Sequence, residues 1–326
     1  ARAAAVVAAV ADDDRLTAVE MAPGAGLHQI VANIAGPNSL WRDVKVYGNH
    51  AYSVSEGGSG IQIFQLANID FGNVSLVGTI DDFGTSATHN VAIDEESGFL
   101  YRIGGGDNGL RIYSLANPSS PTYVGSWTDR YVHDAQIVTY TEGPYAGRQI
   151  AFCCGGFNGG FSETGLCILD VTNKSNIQQL ACLQYNSPSY SHQGWLTEDR
   201  QYFFLNDELD EQDFGTPTTT RIIDVSDLDN PTLAYKHTLE GSDWGWSEAL
   251  WDHHAFTYHR DVLTVPMFDY YYDRSGEDRY FSGAISLEAT PEGGFREIGR
   301  IDHRPLVRDS DCLYERWYDW DHSVCG

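Results

Sequence analysis

Five segments of the chain open alike: Arg42-Asp-Val-Lys-Val, His89-Asn-Val-Ala-Ile, His133-Asp-Ala-Gln-Ile, His192-Gln-Gly-Trp-Leu and His253-His-Ala-Phe-Thr. Each starts with a basic or imidazole residue, continues with a polar one and runs into a short, mainly apolar stretch. A truncated sixth opening, His322-Ser-Val, stands near the end of the sequence. Behind each opening come a turn and a second apolar run, as in Asp94-Glu-Glu-Ser-Gly before FLYRIGG. A third run follows: GIQIFQL from Gly60, GLRIYSL from Gly109, GLCILDV from Gly165, TRIIDVS from Thr220 and GAISLEA from Gly283. A turn rich in Asn, Pro, Ser and Asp then leads to a fourth, most clearly Ala116-Asn-Pro-Ser-Ser-Pro before TYVGSW. β-Branched and aromatic runs bounded by turn residues are the mark of strands and hairpins.

The openings stand 44 to 61 residues apart, the size of a four-stranded propeller blade. A blade cannot bury both of its faces alone. Packing blades around an axis covers the faces and leaves only short edges. No helical periodicity of useful length competes. The expected fold is all-β: a β-propeller of four-stranded blades with five repeats readable, either five blades or part of a six- to seven-bladed ring. A pair of β-sandwiches is the alternative. Residues 1–15 read as an N-terminal tail and 16–326 as a single propeller domain, with Leu16 to Ile34 supplying a strand that closes the ring with the last repeat. The Ala-rich start, ARAAAVVAAVA, reads as the remnant of a signal peptide or a frayed terminus.

Charge narrows the partners. With 46 Asp+Glu against 20 Lys+Arg the formal net charge is −26, which repels nucleic-acid phosphate and anionic lipid. No stretch approaches the ~20 apolar residues of a membrane helix. The expected partners are a protein or a carbohydrate, with self-assembly as a further option.

Several runs carry a family resemblance. WRDVKVYGNHAYSVSE from Trp41, THNVAIDEESGFLY from Thr88, HDAQIV from His133 and above all HQGWLTEDRQYFFLNDELDE from His192 resemble the LVIVD-repeat, "choice-of-anchor B" family over residues 41–240. The last repeat departs from that pattern. DHHAFTY from Asp252, with LTVPM and YFSGA behind it, is more similar to the secreted C-terminal β-propeller family distantly related to WD40 proteins. Both resemblances imply a propeller and export, and neither implies an activity.

Blades related by rotation place equivalent residues on a ring. If each opening begins the innermost strand, Arg42, His89, His133, His192 and His253 converge at one mouth of the channel. Asp43, Asn90, Asp134, Gln193 and His254 form the next ring. The second strand returns to the same mouth and brings Glu56, Asp107, Asp207, Glu208 and Asp269. Neutral imidazole with carboxylates suits Zn, Cu, Mn or Fe, and the carboxylates alone suit Ca. The candidate metal ligands are therefore His89, His133, His192 and His253, joined by His254, Asp207, Glu208 and Asp269. Arg42 and Glu56 are the candidate ligand-binding pair, Arg42 as the holder of a carboxylate or sulfate. The competing reading is structural: a polar residue at a fixed repeat position often bonds the neighbouring blade's backbone.

Six cysteines offer bridges. Cys167 and Cys182 fall nearly opposite each other once their hairpin folds, Cys153 or Cys154 lies on the adjoining strand, and Cys312 and Cys325 bracket an aromatic, acidic loop. Asn73 and Asn173 begin glycosylation sequons. The acidic run from Asn206 to Asp213 reads as a solvated loop, with Ca²⁺ binding through its oxygens as the alternative. Trp244, Trp246 and Tyr270 sit in long inserts suited to sugar rings, a protein partner or blade-edge packing.

These features favour a secreted or surface-displayed propeller that acts as a binding or structural module with a cation at a His-rich mouth. The alternative is a metal-dependent enzyme at the same ring, resembling a polysaccharide lyase or a metal oxidase. A third reading has the truncated opening completed by another chain.

Overall fold

Turn residues punctuate this sequence, and most of the strands they delimit are short. The computed structural model describes residues 5–10, 15–21, 28–83, 86–105, 109–186, 189–238, 244–271, 279–289 and 294–303. Its strands form six antiparallel sheets, distributed over two units, residues 1–184 and 185–326.

The first unit holds four sheets, each a meander in which consecutive strands pair. They are β1 (Ala5–Val10), β2 (Arg15–Met21) and β3 (His28–Ala35); β4 (Arg42–Tyr47), β5 (His50–Ser55), β6 (Ile61–Asn68) and β7 (Asn73–Ile80); β8 (Asn90–Asp94), β9 (Phe99–Ile103), β10 (Leu110–Ser114) and β11 (Thr122–Trp127); and β12 (Val132–Thr139), β13 (Gln149–Gly155), β14 (Gly165–Asp170) and β15 (Gln178–Leu183). The second unit holds β16 (Ser191–Leu196), β17 (Tyr202–Asp207), β18 (Thr220–Asp224) and β19 (Thr232–His237), with the short helix α1 (Asp210–Phe214) between β17 and β18. Its other sheet comprises β20 (Trp244–Trp246), β21 (Thr257–His259), β22 (Val262–Tyr271), β23 (Arg279–Ala289) and β24 (Phe295–Asp302). Five sheets thus reproduce the five repeats. The sixth corrects an expectation: Leu16–Ile34 supplies β2 and β3 to a sheet of its own, and residues read as a tail contribute β1 to it.

Burial follows strand position. All six residues of β5 and all seven of β13 are buried, whereas β7, β11, β19 and β24 are largely exposed. Middle strands covered on both faces read as continuous apolar runs, and outer strands alternate or turn polar. Neighbouring sheets share cores. Tyr52, Val54, Ile61 and Ile63 pack with Val91, Leu100 and Tyr113, and Tyr101, Ile103 and Ile112 pack with Val132, Ala151 and Leu169. Buried tyrosines add polar links between blades: Tyr52 donates to the Pro118 carbonyl at 2.8 Å and Tyr101 to Gln149 Oε1 at 2.6 Å. In the second unit Phe204 and Ile222 pack with Leu263, Val265, Ile285 and Leu287.

Two backbone devices recur. Gly60 and Gly109, at the head of third strands, have φ of +58° and +72°, and a Cβ there would lie 1.9 Å from the Ile80 carbonyl oxygen and 2.0 Å from that of Trp127. Glycine is required there by both conformation and space. Further along, the pairing of the third strand with the fourth is bulged in every repeat, with register shifts at Ile63/Phe64, Ile112/Tyr113, Ile168/Leu169, Ile222/Ile223 and Ser286/Leu287. A bulge adds local twist, which suits strands at the edge of strongly twisted blades.

Candidate metal centre

In the first unit the register of β12 makes a histidine exceptional. Val132 pairs with Gly155 and Asp134 with Cys154, so His133 is the extra residue of a bulge. A bulge re-aims the side chain that it carries. The centroid of the His133 ring lies 4.0 Å from that of His89, the planes tilted by 46°. Both imidazoles are buried. His89 stands one residue before β8, and Glu56, just after β5, sets Oε1 2.6 Å from His89 Nδ1. A carboxylate on Nδ1 fixes the ring and raises the basicity of Nε2, the arrangement found behind metal-bound imidazoles.

Arg42, expected to hold a ligand carboxylate, donates from Nε to the Ser39 carbonyl at 2.8 Å. The residues that follow the openings tie blades together. Asp43 Oδ2 accepts from Val91 N–H at 3.3 Å, and Asn90 Nδ2 donates to Asp134 Oδ1 at 2.8 Å. Burial pushes the Asp134 carboxyl up to about 6, against the pull of Lys45. For this second ring the structural reading holds within the unit.

The second unit repeats the bulge. Ser191 pairs with Asp207 and Gln193 with Asn206, leaving His192 as the extra residue. Its Nδ1 lies 3.1 Å from the Ala249 carbonyl oxygen, which also accepts from Gln193 Nε2 at 2.8 Å. Glu208 follows β17 half-buried, its N–H donating to the Tyr190 carbonyl at 2.8 Å. His253 stands differently from expectation: it lies in a 3₁₀ turn, His253–Ala255, and not at the head of a strand. The insert that carries this turn splits the first strand of the last repeat into β20 and β21, and the Asp252 side chain caps the turn by accepting from His254 N–H at 2.9 Å. His254 Nδ1 lies 2.9 Å from the same carboxylate oxygen, and this hydrogen bond holds the Asp252 carboxyl down at about 2.

Asp207, expected among the metal-facing carboxylates, is committed elsewhere. It lies 3.0 Å from the Arg221 guanidinium and accepts from the Tyr185 hydroxyl. Arg221 also sits over the Tyr185 ring, 4.8 Å from its centroid. Such a buried knot is structural, since losing either partner leaves a charge in a low dielectric. Asp269 is buried in β22, opposite Gly245 and Phe281.

Cys167 and Cys182 are joined across β14 and β15. Cys153 is in register with Cys167 on the other side, and Cys153 and Cys154, which the sequence also offered as bridge partners, are buried thiols. Burial pushes the Cys153 thiol up. Asn73 and Asn173 are exposed. Asp107, Cys312, Cys325 and His322 lie outside the described residues. No residue type marks the bulges at His133 and His192 in the sequence; only the pairing register does.

Residues 87–129 match the LVIVD repeat and residues 208–325 match the family described as "Beta propeller domain". No curated protein matches the chain. Among solved structures, a protein from Lactobacillus plantarum is 13% identical, with a TM-score of 0.61 over 89% of this chain and 79% of that one. A putative 6-phosphogluconolactonase from Bacteroides uniformis is 10% identical, with a TM-score of 0.61 over 91% and 81%. The periplasmic gluconolactonase of Pseudomonas aeruginosa is 10% identical, with a TM-score of 0.55 over 88% and 77%. At these identities the likeness carries the fold alone. The LVIVD match over residues 87–129, the propeller match over residues 208–325 and the blade-by-blade meander support an LVIVD-repeat β-propeller assignment.

Proposed function

We propose that the chain is an exported binding module in which His89 and His133 hold a first-row transition-metal ion such as Zn²⁺. The observation that carries this reading is the bulged His133 ring 4.0 Å from the ring of His89, whose Nδ1 is held by Glu56 at 2.6 Å. Two imidazoles backed by a carboxylate make a nitrogen donor set that suits Zn²⁺ or Cu²⁺. Two protein donors leave coordination positions for water or for a carbohydrate or protein ligand. Export rests on the Cys167–Cys182 disulfide, which persists in oxidising compartments. No helix among the described residues is long and apolar enough to cross a membrane.

The test is elemental analysis of the chain purified without metal-affinity resin. One transition-metal ion per chain is expected, lost in His89→Ala and His133→Ala with the far-UV spectrum unchanged. Glu56→Gln is expected to weaken binding by about 10- to 100-fold, the usual effect of removing such a support. Absence of metal, or metal content indifferent to these changes, returns the histidines to blade packing.

A metal-dependent enzyme at the same residues is the second reading. It draws on the open coordination positions and on the similar fold of a putative 6-phosphogluconolactonase and a periplasmic gluconolactonase. Turnover of a sugar lactone that disappears in His133→Ala favours it over the binding role.

A further inference from the structure

Three cysteines stand in one row across the third repeat. Cys153 of β13 is the register partner of Cys167 of β14, and Cys167 is the partner of Cys182 of β15. Register partners on neighbouring strands project from the same face of a sheet. Packing agrees: Cys153 and Cys167 belong to one buried cluster, and Cys182 is half-buried against it. Cys154, the next residue of β13, projects from the opposite face. Cys167 is bonded to Cys182, so the row holds one disulfide with a thiol behind it.

The central cysteine has a choice of partner. Directly opposed residues of antiparallel strands have Cα atoms about 4.5 or 5.5 Å apart, and a disulfide spans either separation. Chain entropy does not decide between the two bridges. Cys167–Cys182 closes 15 positions of chain and Cys153–Cys167 would close 14, and loop-closure entropy changes only with the logarithm of length. The order across the strands is also the order of a thiol–disulfide displacement: attacking sulfur, central sulfur, leaving sulfur. Burial disfavours the Cys153 thiolate and so slows the attack without moving the balance between the two bridges. The leaving sulfur is better placed. Cys167 and Cys182 line a cleft of about 200 Å³ with Arg130, Glu163 and Thr164, where a released thiolate meets water and small molecules.

We propose that Cys153, Cys167 and Cys182 form a disulfide relay that presents Cys182 as a modification site for small disulfides such as cystine or glutathione disulfide. The Cys153 thiol gives its proton to solvent, and the thiolate attacks Cys167 Sγ. The Cys153–Cys167 bond forms as the Cys167–Cys182 bond breaks, and Cys182 leaves as a thiolate. The number of disulfides is unchanged, so this step consumes no oxidant or reductant. The Cys182 thiolate then attacks a small disulfide in the cleft. A mixed disulfide forms, and the small thiolate released takes up the proton that Cys153 gave.

The chain is incubated with excess glutathione disulfide at pH 7 and pH 8 and quenched with acid, and its bridges are mapped by mass spectrometry of unreduced peptides. Glutathione on Cys182 is expected, with Cys153 and Cys167 joined in the same molecules. The rate should rise about tenfold from pH 7 to pH 8, as the thiolate fraction of a thiol with a raised pKa does. Cys153→Ser removes the attacking sulfur and should lower the modification of Cys182 at least about tenfold. Cys154→Ser should leave it unchanged and frees the map from the adjoining thiol. Cys182→Ser should fold with Cys153 and Cys167 joined and the far-UV spectrum unaltered. If Cys182 of the unaltered chain takes up no glutathione, its bond is fixed and the proposal fails. A folded Cys182→Ser chain that keeps Cys153 and Cys167 as thiols overturns it, as does modification of Cys182 that Cys153→Ser retains in full.

Discussion

His133 and Asp134 are adjacent and do different work. The histidine is the extra residue of a bulge, and the aspartate accepts hydrogen bonds from Ala135 N–H and Asn90 Nδ2, each at 2.8 Å. One residue is turned out of the ladder and the next clamps the blades, so two adjacent side chains meet different surroundings. In the second unit His237 shows what burial costs an imidazole when the support for its charged form is weak. Burial lowers its pKa, only partly opposed by Glu297, and its ring meets Phe295 edge-on at 5.4 Å. The folded chain therefore keeps His237 neutral at pH values where the unfolded chain protonates it. Its contribution is complete above the ordinary histidine value of about 6.5 and is lost as pH falls below it. Melting curves between pH 7.5 and 5.5 should fall less steeply in His237→Phe than in the unaltered chain. Parallel slopes would falsify the assignment.

The blade is the unit at the scale of elements, and its geometry depends on the close approach of third and fourth strands. Gly109 sits where a Cβ would lie 2.0 Å from the Trp127 carbonyl oxygen, with φ of +72°. Gly109→Ala must adopt a left-handed conformation and also push β11 away. The expected loss is at least about 2 kcal/mol, since left-handed strain and steric displacement add. Chemical denaturation measures it, and a change below about 0.5 kcal/mol would show that β11 yields freely. The last repeat departs from this unit because its first strand is interrupted. β20 pairs with β22 near Phe268–Tyr270 and β21 pairs near Val262–Thr264, and the insert between them carries His253 out of its repeat position.

Over the whole molecule the dominant quantity is a net charge of −26. Self-repulsion of that size opposes the folded state, and added salt screens it with a Debye length of about 10 Å at 0.1 M. Exposed ion pairs such as Arg300 with Glu297 weaken with salt but contribute only about 0–1 kcal/mol each. Repulsion among the excess carboxylates outweighs them, so the melting temperature should rise as NaCl goes from about 0.01 to 0.5 M. A flat or falling melting temperature over that range would mean that the favourable pairs prevail.

Four-strand periodicity, the third-strand glycines and the resemblance to LVIVD repeats are all legible in the sequence, because strands and turns are written in local alternation and in residues tolerant of unusual backbone angles. The facing of Cys167 and Cys182 is legible for the same reason, as their hairpin is local. Pairing register and charge partners are not. Whether His133 lies in the ladder or bulges from it depends on how β12 meets β13, strands separated by a loop whose residues do not encode the offset. Asp207 reads like a ligand beside Glu208 until Arg221, fourteen positions on, is folded against it. The sequence determined the type of blade and the residues at its head; only tertiary contact decided which of those side chains latch onto a neighbouring blade and which are turned out of the ladder, because that choice is made by groups distant in the chain competing for the same atoms.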